Sequence, residues 1–498
     1  MLNMLLEGFH SILNFETILL LVVAVILGLI FGSIPGLTAT MAIAIGLPIT
    51  YGMDPIVGMS FLMGLYIGGV SGGLIPAILL KLPGTPSSIA TTFDGYPMAQ
   101  NGEPGKAFSF SIIACLVGGI VSVIALIMIA PPLGKIALEF GPFEFFAIVV
   151  FSLTLISSLT GDSMAKGIMS GLLGMLFAMV GTAPIDAFPR FTFGFSSLDA
   201  GFDMLPVLIG LFGVSEVLVQ LENKNKNKLK KSSGFKKINY KVNLKEYLKE
   251  KWGFLRSIAI GLGIGILPGI GAGTANIVSY ATAKNLSKQP EKFGKGAVSG
   301  IVASEGANNA AVGGALVPLI SLGIPGDTST ALLLGGLILH GFNPGPMLIE
   351  NNGDIVYAIF AALIIANILM GLFLFLGMRG FIRLLSIPQP ILLPIIIALC
   401  VVGAYGVNNR VFDVGALFFF GIIGYLMIKG NFPLTPIILG FILGPILEEN
   451  LRRGLMMSDG DFTPFFTEPI SAAFLLLALL SVLFTLFNNN RKKKMNKS

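Results

Sequence analysis

The chain has 498 residues, of which 54% are hydrophobic and 12% charged, with a formal net charge of +6 and a mean hydropathy of +0.86. A soluble globular chain carries about a quarter charged residues, so a water-soluble enzyme is excluded. Apolar runs at 17–31, 108–130 and 471–487 approach the ~20 residues that cross ~30 Å of hydrocarbon. They lack the alternation of a transmembrane β-strand. The expected fold is therefore an all-α polytopic membrane protein.

In chain order, the first eighty residues contain neither lysine nor arginine. The opening apolar run continues into Gly32 to Pro35 without a small-residue cleavage site, and is expected to be a retained helix rather than a cleaved signal. Pro35-Gly36 should break it, with Thr38 and Thr40 following. A second break is expected at Pro83-Gly84, followed by Thr85, Ser87 and Ser88, with Asp94 shortly after. The stretch from Lys224 to Arg256 carries eleven lysines and one arginine against Glu246 and Glu250, which predicts a cytoplasmic loop. Trp252 sits where this loop re-enters apolar sequence, as an interfacial anchor would. Beyond it come breaks at Pro268-Gly269, with Thr274 after it, and at Pro325-Gly326, followed by Asp327, Thr328, Ser329 and Thr330. Between them Asn308 and Asn309 enter an apolar segment, preceded by Ser304 and Glu305. Asn408, Asn409, Arg410 and Asp413 form a further polar group, expected as a loop with an ion pair. The tail, with Arg491, Lys492, Lys493, Lys494 and Lys497, is again basic.

The basic loop separates two similar halves. Residues 34–40 (IPGLTAT) resemble 267–274 (LPGIGAGT), and 76–88 (PAILLKLPGTPSS) align without a gap against 318–330 (PLISLGIPGDTST). Pro206 and Gly210 match Pro436 and Gly440 at the same spacing. The expected organisation is an N-terminal transmembrane repeat over 1–222, a basic cytoplasmic loop over 223–253, a C-terminal repeat over 254–450, and a final helix with its basic tail over 451–498. With the N-terminus outside and the loop inside, the first repeat crosses an odd number of times, so the repeats are expected to be inverted. The final helix then returns the tail to the cytoplasm. Inverted repeats with broken helices characterise secondary transporters.

Proline removes a backbone donor and glycine relaxes the backbone, so each Pro-Gly pair should interrupt a helix or form a re-entrant hairpin. Non-helical backbone at membrane depth is tolerated only against protein or a wet cavity. The hydroxyls after each break suit N-caps and first turns, where free N–H groups and the positive dipole end hold anions. The expected substrate site is Pro83, Gly84, Thr85, Ser87, Ser88, Asn308, Asn309, Pro325, Gly326, Asp327, Thr328, Ser329 and Thr330. Pro35, Gly36, Thr38, Thr40, Pro268, Gly269 and Thr274 are secondary candidates. Asn amides can bond a carboxylate or offer a carbonyl to a cation, so Asp94, Asn308, Asn309 and Asp327 are candidates for a coupling sodium ion or proton. No other cofactor is expected. Cys115 and Cys400 lie in apolar runs, and His10 and His340 are far apart, which argues for packing rather than a disulfide, haem or metal centre. Topology and anionic lipid account for the basic stretches without nucleic acid.

These same residues carry a resemblance. Residues 32–37 (GSIPGL), 82–88 (LPGTPSS), 94–99 (DGYPMA), 268–272 (PGIGA), 292–296 (KFGKG), 305–314, 322–326 (LGIPG), 408–410 (NNR) and 447–453 (LEENLRR) resemble the large membrane subunit of the bacterial tripartite tricarboxylate transporters, the TctA family. The resemblance spans almost the whole chain. It implies about twelve spans, against the odd total from charge parity, so about 11–12 spans plus short segments are expected. It also implies import of di- or tricarboxylates across the bacterial cytoplasmic membrane on a cation gradient, with a small membrane subunit and a periplasmic solute-binding protein. At Asp327 many family members carry a small neutral residue, so the resemblance implies a carboxylate class rather than citrate itself. A carrier working without a binding protein, and a channel, are the alternatives. An intramembrane enzyme has few candidate nucleophiles or bases in this sequence.

Overall fold

The computed structural model describes residues 2–159, 163–222, 244–384 and 389–495. Most of the lysine-rich loop, 223–243, lies outside the described residues. Among those described, the only strands are a short antiparallel hairpin pairing Gly181–Thr182 with Pro189–Arg190. All other regular structure is helical, as the composition predicts.

Seven described helices are long and apolar enough to span a bilayer: Phe15–Ser33, Pro55–Leu80, Pro104–Ala137, Met204–Glu222, Gly353–Met378, Val411–Lys429 and Leu434–Met457. Shorter apolar helices include Ala39–Ile49, Met164–Ala178 and Thr328–Leu339. At ~1.5 Å per residue, Ala39–Ile49 and Thr328–Leu339 reach roughly 16–18 Å, about half the hydrocarbon thickness. They are half-spans that start at buried residues, Ala39 and Ser329, and run out to exposed ones, Ile49 and Ile338. Trp252 is exposed, as an interfacial anchor requires.

The packing repeats along the chain. Phe15–Ser33 lies along Pro55–Gly72, and Lys251–Ile266 lies in the same way along Val298–Leu322. Small residues permit both approaches: a Cβ on Gly32 would stand 2.2 Å from the Gly69 carbonyl oxygen, and one on Gly265 would stand 2.6 Å from that of Ala311. Such close backbone contact is how helices gain packing energy without a hydrophobic driving force. The halves are also exchanged. Pro104–Ala137 packs chiefly on Val298–Leu322 of the other half, and Gly353–Leu384 packs on Pro55–Gly72. Likewise Met164–Ala178 packs on Leu434–Met457, while 204–222 packs on Val411–Lys429. One continuous apolar core results, with Tyr66, Phe108, Phe110, Phe360 and Phe420 fully buried.

All four Pro-Gly pairs fall between helices. The first and third turn on Gly36 and Gly269, with φ of +92° and +77°, a region glycine enters without steric cost. At the second and fourth, the chain leaves its helix before the Pro-Gly pair. Lys81 (φ 57°) and Gly323 (φ 72°) are left-handed C-caps at equivalent positions. The N–H groups of Leu82 and Ile324 then bond the carbonyls of Pro76 and Pro318 at 3.4 and 3.2 Å. Glycine relieves this conformation in one half, whereas lysine holds it in the other.

Candidate functional site

The second and fourth breaks each rebuild a helix start through the same reciprocal cap. In the first half, Ser88 Oγ accepts the Thr85 N–H at 3.3 Å while the Thr85 side chain accepts the Ser88 N–H. In the second, Thr330 Oγ1 accepts the Asp327 N–H at 2.8 Å and Asp327 Oδ1 accepts the Thr330 N–H at 2.7 Å. This is a capping box, in which two orphan donors satisfy one another's partners. Asp327 thus occupies the place of Thr85. Its other oxygen, Oδ2, accepts the Tyr66 hydroxyl at 3.0 Å.

Both tips face one cavity of about 460 Å³. Thr85, Ser87, Asp327, Thr328 and Ser329 line it, together with Thr38, Thr40, Gly269 and Thr274 from the other two breaks. Thr40 Oγ1 joins the halves, lying 3.0 Å from Ser329 Oγ and 3.3 Å from Thr328 Oγ1. Three helices of more than two turns begin at the wall: Ala39–Ile49, whose N-cap Thr38 accepts the Met41 N–H at 3.1 Å, then Gly271–Asn285 and Thr328–Leu339. The start of Gly271–Asn285 approaches both tips. A Cβ on Gly273 would lie 3.6 Å from the Pro86 oxygen, and one on Gly271 would lie 3.2 Å from Asp327 Cβ.

The remaining expected residues stand behind this wall. Pro35, Gly36, Pro83, Gly84, Pro268, Pro325 and Gly326 form the turns. The Gly269 N–H bonds the Gly326 carbonyl at 2.7 Å, tying two breaks together. Ser88 and Thr330 are fully buried as cap partners. Asn309 accepts the Ser71 hydroxyl at 2.7 Å and returns its amide to the Glu305 carbonyl at 3.2 Å, while Asn308 turns toward the Glu305 carboxylate. Neither asparagine lines the cavity. Asp94, also buried, accepts the N–H groups of Gly294, Gly296 and Ala297 at 2.7–2.9 Å and the Tyr280 hydroxyl at 2.8 Å. It caps the entry to Val298–Leu322. The group at 408–413 contains the expected ion pair, Arg410 Nη2 to Asp413 Oδ1 at 2.9 Å.

Sequence reasoning missed Glu216, which lines the cavity with Phe212, Ser215 and Thr435. Glu216 accepts from Gln220 at 3.1 Å, and Gln220 also donates to the Gly36 carbonyl. The available signal was a carboxylate and an amide one helical turn apart in an otherwise apolar run. It also missed Tyr66, which looks like an ordinary core aromatic. Among the described residues no lysine, arginine or histidine lines the cavity, whereas two carboxylates do. Chemically it offers hydroxyls and helix-start amides to an anion, within a wall that itself carries acidic groups.

Residues 18–439 match the family model described as the tripartite tricarboxylate transporter TctA family. The chain is similar to an uncharacterized 52.8 kDa protein in the TAR-I ttuC' 3'region of Agrobacterium vitis, 37% identical over 489 residues that cover 98% of this chain and 96% of that one. It is also similar to an uncharacterized protein in the TAR-II ttuC' 3'region of the same organism, 42% identical over 232 residues covering 46% of this chain and 96% of that one.

Proposed function

The chain belongs to the tripartite tricarboxylate transporter TctA family, and we propose on that premise that it is the large membrane subunit of a secondary transporter importing di- or tricarboxylates. The substrate is delivered by a periplasmic solute-binding protein, and a small membrane subunit completes the assembly in the bacterial cytoplasmic membrane. The basic loop and the tail face the cytoplasm and the N-terminus the periplasm. The two repeats are inverted and give access to the cavity from each side in turn.

The observation that carries this reading is the pair of capped tips, one from each repeat, facing a single cavity entered by helix starts. Helix starts present free N–H groups and a positive dipole end, and Thr40, Ser87, Thr328 and Ser329 add hydroxyl donors. These suit carboxylates without demanding one particular molecule. Glu216 and Asp327 oppose an anion arriving alone, which supports entry with sodium ions or protons.

The test is uptake of a panel of labelled di- and tricarboxylates into vesicles holding this chain and its small subunit, with and without the binding protein. Saturable uptake that needs the binding protein and follows an imposed sodium or proton gradient is expected. Correctly inserted protein that moves no carboxylate would refute the substrate class. Uptake independent of the binding protein would refute the tripartite assignment.

A further inference from the structure

Behind the first tip lies a polar cluster that the substrate cavity does not use. Glu305, wholly buried in Val298–Leu322, accepts the Thr91 hydroxyl on Oε1 through a short contact, and the Cys115 thiol at 3.2 Å and the Asn308 amide at 3.5 Å on Oε2. Among the described residues no lysine, arginine or histidine bonds this carboxylate. A bare ionised carboxylate at such a place costs several kcal/mol, because neutral donors replace water only in part. The Asn308 side chain is itself fully buried, and its Oδ1, on the same amide plane as the nitrogen facing Glu305, has no hydrogen-bond partner. The cluster therefore lacks one positive charge and has an acceptor to spare.

We propose that this cluster is a monocation site in which Glu305 holds the coupling ion. The inference rests on the transporter reading above and adds the residue that carries the coupling. A sodium ion would be held by Glu305, Asn308 Oδ1 and the hydroxyls of Thr91 and Ser304. A proton from water would sit on Glu305 Oε1 and face Thr91, whose own hydroxyl then donates to Ser304 Oγ at 3.3 Å, and Ser304 in turn to the Ile301 carbonyl at 3.0 Å. In both cases the ion acts on the substrate site through position. Thr91 lies three residues beyond Ser88, and the Ala90 N–H bonds Asn276, in the helix whose start lines the cavity, at 2.8 Å.

Of the other titratable groups near Glu305, one bonds it, and the rest are engaged elsewhere or make no bond to it. Cys115 touches it directly. Tyr66 is bonded to Asp327, Tyr280 to Asp94, and Lys106 pairs with Glu246 at 3.1 Å. Lys135, Lys251, Arg256, Lys284 and Glu350, on helices packed against Val298–Leu322, make no bond to its carboxylate.

The test is thermal unfolding of the purified full chain without any carboxylate, titrated with sodium against choline at fixed pH and, separately, with pH in sodium-free buffer. The midpoint of the unaltered protein should rise with sodium, which identifies sodium, or with falling pH, which identifies the proton. Glu305→Gln, already neutral, should lose that response, and in vesicles its gradient-driven accumulation should fall at least tenfold. Thr91→Val is the second variant, expected to need at least tenfold more cation for the same shift. A response in Glu305→Gln equal to that of the unaltered chain, no response to either cation in the unaltered chain, or an unchanged requirement in Thr91→Val would overturn the proposal. None of the unfolding measurements involves a carboxylate, so an error in the substrate class would leave them intact.

Discussion

Asp327 is the residue at which the cap and the substrate make opposite demands. Its Oδ1 closes the capping box with Thr330 and its Oδ2 takes the Tyr66 hydroxyl, so its carboxylate is consumed in structure while it faces the cavity. Asp327→Asn keeps the geometry: the amide oxygen still accepts the Thr330 N–H, and the Tyr66 hydroxyl can accept from the new NH2. Only the charge is removed. A substrate carboxylate centred in a cavity of 460 Å³ lies roughly 5 Å from the wall, where an effective dielectric of ~20 gives a repulsion of about 3 kcal/mol. Relief of part of that repulsion should tighten binding by about 10- to 100-fold. The assay is equilibrium binding of a labelled dicarboxylate to the purified chain at fixed pH and low sodium, with the thermal midpoint as a check that the cap survives. Unchanged affinity would mean that Asp327 is already neutral, and weaker affinity that it holds a cation bridging to the substrate. Either result refutes its assignment as a cap whose charge repels the substrate.

Three further outcomes follow from the same geometry. Ser87→Ala and Ser329→Ala each remove a cavity hydroxyl; a hydrogen bond to a charged group contributes about 1.5–3 kcal/mol, so direct binding should weaken by roughly tenfold or more with membrane insertion unchanged. Ser88→Ala and Thr330→Ala break the boxes from behind, and should show first as a loss of about 1–2 kcal/mol in thermal stability, the usual worth of a cap. Gly32→Ala puts a Cβ 2.2 Å from the Gly69 carbonyl oxygen, whereas Gly263 has open space around its Cα. The first should cost on the order of 1–3 kcal/mol through overpacking, and Gly263→Ala should leave the midpoint unchanged or raise it slightly.

The four breaks and the hydroxyls after them were legible because helix breaking and capping are decided by neighbours in sequence. Pro-Gly followed by Thr or Ser carries its physics within a few residues. The exact exit from the helices was not. Lys81 holds a left-handed conformation that its residue type does not advertise, and it became visible only beside Gly323 at the equivalent place. Which polar residues meet was harder still. Asn308 and Asn309 were legible as buried amides, but Asn309 meets Ser71 of the other half and Asn308 meets Glu305 of its own helix rather than the cavity, a matter of helical phase. Glu216 reaches the cavity only because 204–222 lies beside the first break, as the Gln220 bond to the Gly36 carbonyl records.

The exchanged packing also fixes how the tips can move. Tyr66 and Asn308 stand at equivalent positions of the two repeats, each on the long helix preceding its own tip. Tyr66 bonds Asp327 of the opposite tip. Asn308 bonds Glu305, which in turn accepts the hydroxyl of Thr91, just beyond the opposite tip's capping box. Each tip is therefore held by the other repeat's long helix as well as by its own turn. A rigid displacement of one repeat against the other must strain both cross-ties together, and neither tie can be weakened without freeing one tip relative to the helix that crosses it. Tyr66→Phe should accordingly loosen the second tip alone, while Thr91→Val loosens the first. Hydrogen exchange at 327–330 and at 85–91 should report them separately, and faster exchange at both tips in each variant would show that the two ties act as one unit rather than as independent anchors.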